Sequence, residues 1–369
     1  HSRLYAAAFK KCGCALPIPC CDLMSTKRRG APNAPMALLL VAALVIAALL
    51  YLISGPRLIP PSTILSAANA FDPNNFDHRI LQSIRFPRLL AAITVGACLG
   101  LSGLLLQGLL RNPLGEPHIL GLNAGATLAV VAPALPTIPM LPMLPMFPTG
   151  ISLDGMARPI VAACGGGGVF LATISFASAG KSGMTLLKVT FCGIAFSALA
   201  GALTSAILIL DDDTLDKVRL WLVGDLSGTR LDTLGASMGL LAVAVGAAFY
   251  VSARLNALAL GDVVATSLGV SVRRVRFIGI IAAALFAGIA VSIAGPIGFV
   301  GLIVPNLVRR FAPDYRASVP LTALCGAVLL VLADLAARLI MLPHEIPTGL
   351  ATAFVGAPVF IVLVARTIR

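Results

Sequence analysis

The sequence predicts an all-α, polytopic membrane protein with ten transmembrane helices. Hydrophobic residues make up 58% of the 369-residue chain and charged residues 11%, where soluble domains carry about 45–50% and about 25%. Mean hydropathy is +0.98. A soluble globule of this size would expose much of this apolar surface, and a disordered chain would be polar. Ten apolar segments divide the chain, and a spanning helix needs about 20 mostly apolar residues, which leaves no room for a large soluble domain.

The elements follow in order. Residues 1–35 are expected to be an N-terminal extension and cytoplasmic tail, partly foreign to the mature chain, since Met24 precedes Lys27-Arg28-Arg29 and the first apolar run. The runs are 36–54, 87–110, 118–135, 157–178, 188–210, 233–251, 275–294, 297–308, 319–341 and 348–365. Residues 36–369 are thus read as one ten-helix membrane domain. The loop 136–149 is Pro-rich and predicts no helix. The eighth run is short and follows Gly295-Pro296, a helix break. Small-residue pairs at Gly96/Gly100, Gly121/Gly125 and Gly235/Gly239 allow close helix contact.

Charge supports keeping the eighth run. With ten spans, one face holds 18 Lys and Arg and the other 9. Asp22, Glu116, Asp262 and Asp314 share the basic face, and ten acidic residues take the other. The positive-inside rule then places both termini and the loop 254–276 in the cytoplasm. Asp334 is the acidic residue well inside a span, and an i+4 pair with Arg338 is expected. The net charge of +12 is read as orientation, not as nucleic-acid binding.

Enzymatic motifs fail in turn. Cys12, Cys14, Cys20 and Cys21 have no further ligand at a metal spacing, and the remaining cysteines stand singly in apolar runs. Gly180-Lys181-Ser182 lacks the glycine and strand of a phosphate loop, and His344-Glu345 lacks the second His of a metalloprotease. No catalytic residue, metal ligand or ATP site is expected.

Three stretches do carry a signature. The first runs from Arg85-Phe86-Pro87-Arg88 through Gly103-Leu104-Leu105-Leu106-Gln107-Gly108 to Arg111-Asn112-Pro113-Leu114-Gly115-Glu116-Pro117. The second is Leu255-Asn256-Ala257-Leu258-Ala259-Leu260-Gly261-Asp262 with Ser267-Leu268-Gly269-Val270. The third is Gly295-Pro296-Ile297-Gly298-Phe299-Val300-Gly301-Leu302, continued by Leu332-Ala333-Asp334 and Glu345-Ile346-Pro347-Thr348-Gly349. Over residues 36–369 this ordered set resembles the permease subunits of type II ABC importers for iron–siderophores, haem and cobalamin.

The resemblance implies ten helices per subunit, a homodimer of permeases, two separate ATP-binding cassette subunits that hold ATP and Mg, and a periplasmic substrate-binding protein. No permanently bound cofactor is implied. The protein would lie in the bacterial inner membrane. Leu255, Leu258, Leu260, Gly261, Leu268 and Gly269 would form the ATPase coupling element; without the resemblance the same segment reads more readily as a plain solvated loop than as a docking element. Arg85, Arg88 and Arg338 would dock the binding protein, or else snorkel to lipid headgroups. Asn112 and Leu114, with Met184 and Thr185, would form a cytoplasmic gate. Gly193, Ser197, Gly201, Thr204 and Ser205 would line the pathway.

Residues 198–204 and 220–226 lean the cargo towards haem or another iron chelate, with cobalamin or a ferric siderophore as the alternative. A secondary, ion-coupled transporter is the competing class. It usually needs intramembrane ionisable groups, and Asp334 is the sole acidic candidate.

Overall fold

The computed structural model describes residues 33–132, 157–179, 186–210, 212–229, 231–341 and 344–367. All regular structure among them is helical. The order is α1 (Asn33–Ile53), α2 (Pro61–Asn69), α3 (Phe76–Ile80), a π turn (Leu81–Arg85), α4 (Phe86–Leu110), α5 (Leu122–Val131), α6 (Ala157–Ser178), α7 (Leu186–Leu210) and α8 (Asp212–Leu222). There follow α9 (Leu231–Ala259), α10 (Asp262–Ser267), α11 (Val272–Ala294), α12 (Val300–Phe311), α13 (Tyr315–Ile340) and α14 (Thr348–Thr367).

Each of the ten apolar runs falls on a helix. Among the described residues, seven helices are long and apolar enough to cross a membrane, with spans at Ala34–Ile53, Phe76–Leu110, Arg158–Ser178, Leu187–Leu210, Leu231–Ala259, Val272–Ala294 and Tyr315–Ile340. α5 has 10 residues, α12 has 12, and the apolar part of α14 is Thr348–Val362. Among the described residues, seven spans of full length are therefore found, and the other three of the ten apolar runs fall on shorter helices. Backbone breaks explain two of the short helices. α5 begins after the turns of 111–121, and α12 after a Gly295–Phe299 break in which Gly295 (φ 74) and Phe299 (φ 68) are left-handed.

α3, the π turn and α4 form one continuous helix of 35 residues. The π turn sits where Pro87 would disrupt a regular α-helix, and the Phe86 N–H reaches back five residues to Leu81 O. At 1.5 Å per residue the whole runs about 50 Å, longer than the roughly 30 Å hydrocarbon core. α4 is the hub, with 78% of its spanning window buried. The outer helices are bare: the figure for α1 is 11%, and for α7 and α9 28%. Their exposed Leu38, Ile46, Leu199, Val243 and Phe249 suit lipid.

Glycine lets the hub's neighbours come close. A Cβ at Gly96 would collide with the backbone of Gly326 on α13, and one at Gly103 with the backbone of Gly301 on α12. Gly125 meets Gly165 on α6 in the same way. Gly235 and Gly239 have nothing within 4 Å, so that expected pair packs against no described part of this chain.

Candidate functional site

Two polar clusters lie at opposite ends of α4, and a third lies between them. The first gathers Tyr51 of α1, Arg85 of the π turn, Arg88 at the start of α4, Asp334 and Arg338 of α13, and Glu345 and Thr348 at α14. Arg88 donates from Nη2 to Asp334 Oδ1 (2.9 Å) and from Nε to Asp334 Oδ2 (3.0 Å). The Tyr51 hydroxyl donates to Oδ2 and the Thr348 hydroxyl to Oδ1, each at 2.5 Å. Arg88 Nη1 also donates to Glu345 Oε2 at 2.5 Å. Asp334 is 0% exposed and Arg88 4%. A buried carboxylate survives ionised only when paired and hydrogen-bonded, and here both oxygens are doubly engaged.

Asp334 pairs across the bundle with Arg88 and not with Arg338 along its own helix. Arg338 instead stacks over the Tyr51 ring, 4.4 Å from its centroid, and donates to Ser54 O (2.7 Å). Arg85 donates to Leu52 O, Ile53 O and Arg57 O. The last carbonyls of a helix have no partner within it, and cations there complement its dipole. Arg85 and Arg338 thus finish the C-terminus of α1. All three arginines are 3–4% exposed, yet with Arg57 and Glu345 they line one cleft of about 290 Å³.

The middle cluster fills the break before α12. Glu116 accepts the Phe299 N–H. Gln107 Nε2 donates to Gly301 O (3.1 Å), Asn123 Nδ2 to Ile297 O (2.9 Å) and Asn306 Nδ2 to Pro113 O (2.9 Å). Gly301 abuts Gly103, seven residues or about 10 Å from the end of α4. Non-helical backbone at that depth needs partners inside the protein, and these side chains provide them. Two of the three sequence stretches that looked like separate signatures are therefore one packed unit.

The far end of α4 carries the segment 254–276. It is not a loop throughout: residues 254–259 extend α9, α10 occupies 262–267, and α11 starts at Val272. Leu255 (1%) and Leu258 (0%) are core residues, whereas Leu260 (66%) and Leu268 (63%) are exposed. Val263, at 84%, extends that apolar face and was not anticipated. Gly261 (φ 110) and Gly269 (φ 80) bracket α10 in conformations that L side chains rarely adopt, with open space around both.

The chain matches the FecCD transport family over residues 43–366. It belongs to that family. The ferric enterobactin transport system permease protein FepD of Escherichia coli is 35% identical over 332 residues, covering 89% of this chain and 95% of that protein. The iron(3+)-hydroxamate import system permease protein FhuB of Bacillus subtilis is 36% identical over 311 residues, 83% and 77%. The vitamin B12 import system permease protein BtuC of Vibrio vulnificus is 36% identical over 332 residues, 89% and 93%. A solved metal-chelate type ABC transporter in an inward-facing conformation superposes with a TM-score of 0.71 at 29% identity, over 90% of this chain and 99% of that one. This FecCD protein is accordingly a multi-pass membrane permease of the type II importer class.

In the FecCD protein the remaining expected residues divide by burial. Asn112 (5%) forms a tight turn, its Oδ1 accepting from the Leu114 N–H (2.9 Å), with Leu114 half-buried. Met184 and Thr185 lie outside the described residues. On α7, Gly193 packs against the backbone of Ile119 and Leu120, and Thr204 bonds Ala200 O (2.8 Å). The Ser197 Oγ is buried without a hydrogen-bond partner among the described residues. Gly201 and Ser205 are exposed on the bare side of the helix. Tyr51, Glu116, Glu345 and Thr348 were not singled out for a role, because their partners stand 14 to 283 residues away and no local pattern announces them.

Proposed function

We propose that this chain is the transmembrane subunit of an ATP-driven importer that moves a ferric chelate from periplasm to cytoplasm by alternating access. The observation that carries it is the exposed apolar set at α10: Val263 on the helix, Leu268 directly after it and Leu260 just before Gly261. Short apolar helices of this kind fit a groove on a soluble partner, here one of two ATPase subunits that bind ATP and Mg. Residues 36–369 form one ten-span domain, paired with a second copy. Both termini and α10 are cytoplasmic, and the Arg88 end faces the periplasm of a bacterial inner membrane.

The cleft beside Arg85, Arg88 and Arg338 is proposed to receive carboxylates of a periplasmic binding protein, since charge complementarity favours oriented encounter. Asn112 and Leu114, with Met184 and Thr185, act as the inner gate. Gly201 and Ser205, on the bare side of α7, face the pathway between two copies, with Gly193, Ser197 and Thr204 shaping the helix behind them. The named relatives carry ferric enterobactin, iron(3+)-hydroxamate and vitamin B12 in their own names; this favours a ferric chelate, with haem and cobalamin as further arms of the test.

The test is ATP hydrolysis by the purified complex in proteoliposomes, with binding protein loaded in turn with a ferric siderophore, ferric citrate, haem and cobalamin. One cargo should stimulate hydrolysis and appear inside the vesicles. Uptake driven by a proton or Na⁺ gradient without ATP would overturn the reading.

A further inference from the structure

One carboxylate joins α10 to the end of α4. Asp262, the first residue of α10, accepts from Arg111 at its Oδ1. It also accepts from Arg276 Nη2 at both oxygens, 3.1 and 3.0 Å. Asp262 is the sole acidic residue between 254 and 276. Arg111 is no ordinary helix end: its backbone is left-handed (φ 50), and it closes α4. The turn that follows at once is Asn112–Leu114, held rigid by Asn112 N–H to Gln107 O and Gly115 N–H to Asn112 O, both 3.1 Å.

α10 is otherwise loosely held. Its sole buried residue is Ala265, and both of its flanking glycines stand free of neighbours. The three ionic side chains are 34–44% exposed, and exposed pairs contribute little stability. A contact of small energetic worth that bridges a pivoted helix to a rigid turn is placed to transmit position.

We propose that Asp262, through Arg111, is a positioning linkage: displacement of α10 by a docked ATPase moves the Arg111–Leu114 turn and so sets the inner gate. Arg276 anchors the same carboxylate to α11, which does not lead into that turn. The proposal rests on the importer reading above.

The test uses the whole transporter in proteoliposomes, with Leu114→Cys on a Cys-depleted background, and follows maleimide labelling with and without ATP plus vanadate. The parent should change its labelling rate severalfold on adding nucleotide. Arg111→Gln should abolish that response while retaining the ATPase subunits and their hydrolysis, Arg111→Lys should restore it, and Arg276→Gln should keep it. A responding parent with an equally responsive Arg111→Gln overturns the linkage alone, as does equal loss in Arg276→Gln. A parent indifferent to nucleotide overturns the importer reading and the linkage with it.

Discussion

Arg88 and Asp334 face each other across the interface of α4 and α13 in a two-pronged pair, 2.9 and 3.0 Å, with neither side chain more than 4% exposed. Tyr51 and Thr348 complete the carboxylate's bonding, so one residue of α13 ties together α1, α4 and α14. Removing one member of a buried pair strands the other charge, at a cost of about 3–5 kcal/mol. Arg88→Gln and Asp334→Asn should each lower the thermal unfolding midpoint of the purified permease strongly. The double variant should recover part of the loss. Additive losses would show that the two side chains act independently.

The leucines of the 255–268 segment should separate into two groups. Leu255→Ala and Leu258→Ala hollow the core and should each cost about 2–5 kcal/mol. Leu260→Asp and Val263→Asp change exposed positions, so stability should stay within about 0.5 kcal/mol. These two should instead lose the co-purifying ATPase subunit. Retained ATPase in Leu260→Asp, Val263→Asp and their double variant would remove α10 as the docking face.

Glycine substitutions should sort by contact rather than by sequence spacing. A methyl at Gly96 or Gly103 meets backbone on α13 or α12, and overpacking of this kind costs about 1–3 kcal/mol. Gly235→Ala and Gly239→Ala have open space and should leave the monodisperse yield of the permease unchanged. The informative measurement is size-exclusion profile and unfolding midpoint for all four. Loss at Gly235 or Gly239 would reveal a packing partner beyond this chain, such as a second permease.

Topology should follow the charge count. Ser271, before α11, and Ser62, on α2, are both exposed. On a Cys-depleted background, Ser62→Cys should react with an impermeant reagent from the periplasmic side. Ser271→Cys should react only after the membrane is opened. Both reacting from the periplasmic side would contradict the ten-span arrangement.

The class of protein, a helix within each apolar run and the family were all readable from the residues alone, because apolar run length and the order of Gly, Pro and Arg motifs are local or sequential properties. Gly295-Pro296 marked a break correctly, since proline and a left-handed glycine act on their own backbone. What each polar residue bonds to emerged from packing between distant helices. Asp334 had a plausible partner four residues along its helix, yet the packing of α4 on α13 brought Arg88 from 246 residues away. Leu255 and Leu260 look alike in a list of motif leucines, but α9 turns one into the core and ends before the other. Gly96 and Gly235 share one spacing pattern, and only the approach of α13 gives the first a neighbour. Helical periodicity says which residues share a face; which face meets protein and which meets lipid depends on the helices that arrive from elsewhere in the chain.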